Sequence, residues 1–420
     1  MPLATVLVGL AAGGVGMLLT LLLHAVQHLA FGYTENTFLR GVERASAARR
    51  VLATGVGGVV VGLGWWWHRQ RVDAETVSVT RALRDADHDL PVPATVLDAA
   101  FQVIAVGVGG SLGREGAPRQ AAAALASWLG GRLRLAEDQR RTLLACGAGA
   151  GLAAVYNVPA GGALFTLEIL LASAALRDVV PAVATAGIAT VVAWPVVTDR
   201  PTYHVSGLHF ATPVLAFGLI LGPVLGLLGL GFVRLMNAAR MRAPSGGRSA
   251  FAVAVAFTAL GALAIAYPAL LGNGKGPAQL AFGGGMSVGL AGALLLLKPL
   301  ATAGCLASGA IGGLLTPALA TGAVLGVVLG SGWGVLWGGG STAEYAVVAA
   351  AAFLAVTQRG PLTAIALTLE FLHSGVALIP AMVLAVGSAV LTARRLDPSL
   401  SPAILNAVRR SSGQRPRLAA

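Results

Sequence analysis

Charge is scarce in this sequence. Of 420 residues only 11% are Asp, Glu, Lys or Arg, against roughly a quarter in an ordinary soluble domain, which excludes a typical water-exposed globule. Cysteine is scarcer: Cys146 and Cys305 both sit inside apolar runs, so a disulfide framework is excluded and both read as small packing residues. Aromatics reach 6% and do not interleave with basic residues as on a nucleic-acid-binding face. No P-loop is present, which argues against ATP-driven transport within the chain. What dominates is apolar: 56% hydrophobic residues, a mean hydropathy of +0.78 and 57 glycines. Glycine at that density lets helices approach closely in lipid. A multi-pass membrane protein follows, and loops flanking the spans account for the formal charge of +12.

From Met1 to Thr34 no charge interrupts the chain and no basic segment precedes it, so the stretch reads as a retained first helix rather than a signal peptide. Charge-free runs recur at 142–167, 179–198, 201–233, 249–274, 276–297, 299–343 and 371–393, several matching the roughly 20 residues that cross a bilayer. The run 299–343 is too long for one crossing and is broken by Gly312-Gly313, Pro317 and Gly338-Gly339-Gly340. It predicts short, tilted or re-entrant pieces, which survive at that depth only where protein or a watery cavity satisfies the backbone; such breaks point to a binding site or pathway. The basic stretch Arg394 to Arg417 and the Arg-bearing loop Met236 to Arg248 belong on the cytoplasmic side. Residues 406–420 read as a basic tail with no room for a regulatory domain. Arg40, Arg44, Arg49 and Arg50 form another basic loop, which this topology leaves outside, against the charge rule.

The chain also repeats itself. Gly151–Glu168 (GLAAVYNVPAGGALFTLE) aligns without gaps on Phe353–Glu370 (FLAVTQRGPLTAIALTLE). Upstream, the break GREGAP at 113–118 corresponds to GGLLTP at 312–317, with similar spacing from each to the following proline, Pro159 or Pro361. Shared order and spacing predict two repeats, residues 1–210 and 211–405, folded about a pseudo-two-fold axis. In each, a Gly-rich turn with a nearby Pro precedes an apolar segment, as where a helix starts with its first amides unpartnered. Such an end carries about half a positive charge. Two of them converging at midplane would hold a small anion without a Lys or Arg, loosely enough to release it.

Glu115 lies inside the first break, where an ionised carboxylate costs about 2.5–3.5 kcal/mol. A carboxylate at an anion-binding helix end can occupy the anion's place and leave on protonation. Glu115 is therefore the candidate gate, able to compete with the permeant ion and to carry a proton. The plainer reading is a neighbour contact between Arg114 and Glu115 at a membrane interface.

These motifs resemble the CLC chloride channel and transporter family: GREGAP is similar to its GREGP element, GGLLTP to its GxFxP element, and the segments after each match over Leu3 to Leu405. The resemblance implies an all-α polytopic fold of inverted repeats with short, tilted and re-entrant helices, and a homodimer with one pathway per subunit. It also implies Glu115 as external gate, with Gly113, Arg114, Gly116, Gly313, Leu314 and Leu315 around the anion. The chain departs from the pattern in several places. Ala74 stands where the family has a central serine; Ser401 is the hydroxyl available where a coordinating tyrosine is expected. Pro118 is displaced by one, and Arg119 follows it. Ile169 replaces the internal proton-transfer glutamate of exchangers, which favours a passive channel. Glu168 and Glu370 match positions that are structural.

The expected partners are chloride or other small anions, protons and the lipid bilayer, with no cofactor, no metal, no nucleic acid and no enzymatic activity, in a cell membrane. A proton-coupled chloride or fluoride antiporter is the near alternative. An intramembrane metal enzyme is remote: His24 and His28 have the i,i+4 spacing of a metal pair but lack the partnering glutamate and a third ligand.

Overall fold

The computed structural model describes residues 1–32, 37–72, 78–84, 89–205 and 207–398. Its first half comprises α1 (Pro2–Phe31), α2 (Phe38–Arg44), α3 (Ala47–Arg69), the single turn α4 (Val79–Ala82), α5 (Val92–Gly107), α6 (Gly116–Arg132), α7 (Glu137–Tyr156), α8 (Pro159–Leu164) continued by a π-helical stretch Phe165–Leu171, and α9 (Leu176–Val197). The second comprises α10 (Thr212–Met241), α11 (Gly247–Ala266), α12 (Lys275–Phe282), α13 (Val288–Ala307), α14 (Leu315–Trp337), α15 (Thr342–Gln358), α16 (Pro361–Leu372) and α17 (Ile379–Leu396). Among the described residues eight helices are long and apolar enough to cross a membrane.

Packing follows one scheme in both halves. α1 lies on α7 and α9 as α10 lies on α15 and α17, and α6 sits between α5 and α7 as α14 sits between α13 and α15. The halves meet through α3 against α11 and α8 against α16. Small residues permit the contacts. Gly218, Gly222 and Gly226, one helical turn apart on α10, face Ala381, Ala385, Ser388 and Ala389 of α17, and Gly9 and Gly13 of α1 face Ile188 and Val192 of α9. Without a hydrophobic driving force in lipid, such close backbone packing is what associates helices.

The long run 299–343 resolves differently from a series of short pieces. α13 continues through Pro299 to Ala307, a break follows at 308–314, and α14 then runs unbroken for 23 residues until Gly338, Gly339 and Gly340, all at positive φ, end it.

One face of the protein collects the start of α1, the ends of α3 and α6 and the starts of α5 and α7. Ala4 and Val8 pack with Ala126 and Leu143, His68 Nε2 lies 2.9 Å from the Ala94 carbonyl, and Arg69 donates to Ser249 at the start of α11. Arg132, Arg140, Arg141, Arg240 and Arg242 belong to the helix ends gathered here, which marks it as the cytoplasmic face. The opposite face carries the basic loop that broke the charge rule, and two of its four arginines, Arg49 and Arg50, are committed to helix ends. Arg49 donates to the carbonyls of Ala30 and Leu29 at the end of α1. Arg50, buried, donates to Val42 and Glu43 of α2 and to Ala264 and Ile265 of α11. A cation placed there satisfies orphan carbonyls and the negative ends of the helices, so it reflects capping rather than sidedness.

Candidate functional site

The two Gly-rich breaks meet. Gly113 and Gly313 form an antiparallel bridge, each amide donating to the other's carbonyl at 2.8 Å. From this clasp α6 starts at Gly116 and α14 at Leu315, so two helix N-termini from different halves leave one point. Pro118 and Pro317 occupy the third position of their helices, where a missing N–H removes no intrahelical bond. The amides of Gly113 and Gly313 are thereby committed to each other.

Glu115 is fully buried and occupies the N-cap position of α6 without capping it. Its side chain crosses to the other half: Leu315 N–H donates to Oε1 at 2.5 Å, and the Thr316 hydroxyl to Oε2 at 3.3 Å. A third donor is the buried Tyr156 phenol at the end of α7, 3.4 Å from Oε2. A charge-assisted bond to an amide at a helix start is the contact a free anion would make there. The carboxylate thus stands in an anion's place on α14.

Arg114 does not pair with its neighbour. Its guanidinium donates to the Val155 carbonyl and lies over the Tyr156 ring, 4.8 Å from the centroid. Arg119 stacks over Phe165 at 5.0 Å.

Tyr156 and Thr316 are contributors that sequence reading missed. Tyr156 had a faint signal, lying just before the Pro159 that anchors the repeat. Ala74 and Ser401 lie outside the described residues. The nearest described hydroxyl beyond position 74 is Ser78, the N-cap of α4, whose Oγ accepts from Arg81 N–H. Ile169 lies in the π-helical stretch, its side chain against Gly360. Glu168 and Glu370 cap helices: Glu168 accepts from the amides of Leu362 and Thr363 and from the Thr363 hydroxyl, Glu370 from the amides of Ala160 and Gly161. His24 and His28 sit on α1, and among the described residues no three His, Cys, Asp or Glu form a metal-holding group.

Paired helix starts with a buried carboxylate lodged between them form an arrangement whose donors could hold an anion. The chain belongs to the voltage gated chloride channel family, whose family model matches residues 57–394. A putative chloride channel protein, ClcB-like, of Ralstonia nicotianae is 33% identical over 351 residues, covering 79% of this chain and 80% of the relative. The fold is that of a slow cyanobacterial Cl−/H+ antiporter, with a TM-score of 0.82, 20% identity and 98% of both chains covered. A CLC-type fluoride/proton antiporter gives a TM-score of 0.73 at 21% identity over 92% of this chain and 93% of its own. The protein is a multi-pass membrane anion transporter of this family, and the inverted-repeat helical architecture is the one expected.

Proposed function

We propose that each chain carries chloride or a similar small anion past Glu115 in exchange for protons. The observation that carries this reading is the Glu115 carboxylate lodged on the Leu315 amide. A buried carboxylate leaves an amide donor most readily as the neutral acid, so vacating the site for an anion and taking up a proton become one event. Leu314, Leu315 and the first turns of α6 and α14, with Gly116 among them, would then hold the anion, while Gly113 and Gly313 clasp the breaks and Arg114 supports Tyr156. In this reading residues 1–210 and 211–405 are the two repeats, residues 406–420 a cytoplasmic tail, and the working unit a homodimer with one route per subunit. That the slow cyanobacterial protein of the same fold is a Cl−/H+ antiporter agrees with exchange.

A specific observation favours a second reading. Ile169, apolar and packed on Gly360, offers no proton-carrying group where exchangers of the resembled family have one, which suits a passive channel. Sealed proteoliposomes separate the two. Under exchange, a proton gradient drives chloride uphill and Glu115→Gln abolishes the pH dependence of flux. Chloride moving only downhill, with no protons, establishes the channel. Pathway gating is elsewhere if Glu115→Gln leaves the pH profile unchanged. Fluoride strongly preferred over chloride in the same vesicles would assign the fluoride branch.

A further inference from the structure

A buried polar face runs along α5 from the cytoplasmic side toward the gate. Thr95, Asp98 and Gln102 recur at i, i+3 and i+7, so they share one side of the helix, and all three are 0–1% exposed. Their span is about 10 Å at the helical rise, much of the inner half of a hydrocarbon core roughly 30 Å thick.

The contacts link this face to both ends. At the inner end the Thr95 hydroxyl is buried without a hydrogen-bond partner, and His68, buried on α3, contacts the Ala94 carbonyl. In the middle the Asp98 carboxylate accepts from the Trp65 indole N–H at 3.1 Å and from the Gln102 amide at 2.8 Å. At the outer end the Gln102 amide also donates to Gln120 of α6 at 2.5 Å. Its oxygen lies so close to Gly116, the residue after the gate, that a Cβ there would overlap it.

Other buried carboxylates have structural work. Glu168 caps α16, Glu344 closes a capping box with Ser341, and Asp178 ties Thr142 to Ser173. Asp98 accepts from neutral donors only, and no cation lies within ion-pair distance of it among the described residues. The ionisable groups bearing on it are His68 and Arg69 of α3. A carboxylate kept inside a membrane span without a counter-cation is a functional group by default.

We propose that Asp98 is the inner proton-carrying group of this transporter, receiving the gate's proton along the Gln102 edge and passing it inward past Thr95 and His68. The inference rests on the exchange reading above. A proton leaves the neutral Glu115 acid and passes through water entering the gap beside Gln102 to the Asp98 carboxylate, so Glu115 regains its charge and Asp98 becomes neutral. Asp98 then loses the proton to cytoplasmic water. Gln102 carries no proton; its amide holds Asp98 in place and lines the gap. This route lies on the α3–α5 side, away from Ile169, so an apolar residue at 169 does not block it.

The test is the ratio of protons to chloride moved by full-length protein in sealed proteoliposomes. Asp98→Asn retains an acceptor for Trp65 and is expected to lower that ratio at least about tenfold. Asp98→Glu should retain it within about twofold, a rescue that a purely structural role would not predict. Glu137→Gln, at an exposed acid of α7 outside the route, should leave it unchanged. Wild type moving chloride with no protons overturns exchange, and the relay with it. Proton coupling equal in wild type and Asp98→Asn overturns the relay alone. Should Asp98→Asn fail to fold, Gln102→Leu is read the same way: a lowered ratio supports the route and an unchanged one overturns it.

Discussion

Glu168 and Glu370 each cap the helix that carries the other. Glu168, at the end of the first repeat motif, accepts from Thr363 N–H at 2.7 Å at the start of α16, while Glu370 at the end of α16 accepts from Gly161 N–H at 2.6 Å at the start of α8. Two short helices, each beginning at a proline with orphan amides, are thereby locked together across the two halves. Neither carboxylate has an oxygen left over for transport.

Truncating either cap strands amide donors inside the bilayer. Glu168→Ala, which orphans two amides and the Thr363 hydroxyl, should cost about 3 kcal/mol from the penalty for unsatisfied buried groups. Glu168→Gln keeps one acceptor and should cost roughly half of that. Thermal unfolding of the detergent-solubilised protein measures both; equal losses for Ala and Gln would remove the capping role.

The glycines of α10 make a prediction with its own control. A Cβ at Gly226 would overlap the Ala389 carbonyl of α17, which is backbone and does not yield, whereas a Cβ at Gly231 meets nothing within 4 Å. Gly226→Ala should therefore destabilise by about 1–3 kcal/mol through overpacking. Gly231→Ala should be neutral or stabilising by up to about 1 kcal/mol, since alanine is the better helix former. Thermal midpoints falling equally in both variants would place the contact elsewhere.

How far the site could be read in advance depended on what local pattern encodes. Gly-Pro breaks in a hydrophobic background are a local signal, so GREGAP, GGLLTP and the buried Glu115 stood out, as did the matched Glu168 and Glu370. Tyr156 and Thr316 did not, because Tyr156 reaches Glu115 from the far end of another helix 41 residues on and Thr316 from the other half, separations that no local spacing rule connects. Asp98 was overlooked for a related reason. Its partner Trp65 lies on another helix, and a single acid between Leu97 and Ala99 looks like a span boundary until burial places it within the bundle. The basic loop at 40–50 was read through the sidedness rule alone, which has no term for arginines capping helix ends.

Arg50 tests that explanation. Its guanidinium bridges the ends of α2 and α11, and losing it leaves carbonyls of both without a donor. Arg50→Ala should cost about 2–4 kcal/mol, the range of a few charge-assisted hydrogen bonds. Arg50→Lys should recover only part, because an ammonium lacks the planar fork that reaches two helix ends together. Thermal unfolding reads the loss. A neutral Arg50→Ala would return the loop to an unexplained exception.

The gate geometry yields a double-mutant cycle. A Cβ added at Gly313 would overlap Glu115 Oε1 and Cδ, and the three nearest atoms it meets all belong to the Glu115 side chain. Gly313→Ala should therefore displace the carboxylate from the Leu315 amide and mimic loss of the gate. Removing a charge-assisted bond of about 1.5–3 kcal/mol shifts occupancy about tenfold or more, so flux at neutral pH should rise and its pH dependence flatten. In a Glu115→Ala background the clash has no partner. The same Gly313→Ala change should then alter chloride efflux from proteoliposomes by less than about twofold, making the two substitutions non-additive. Independent, additive effects would mean that the carboxylate does not rest on the second break, and the gate assignment would fail with that geometry.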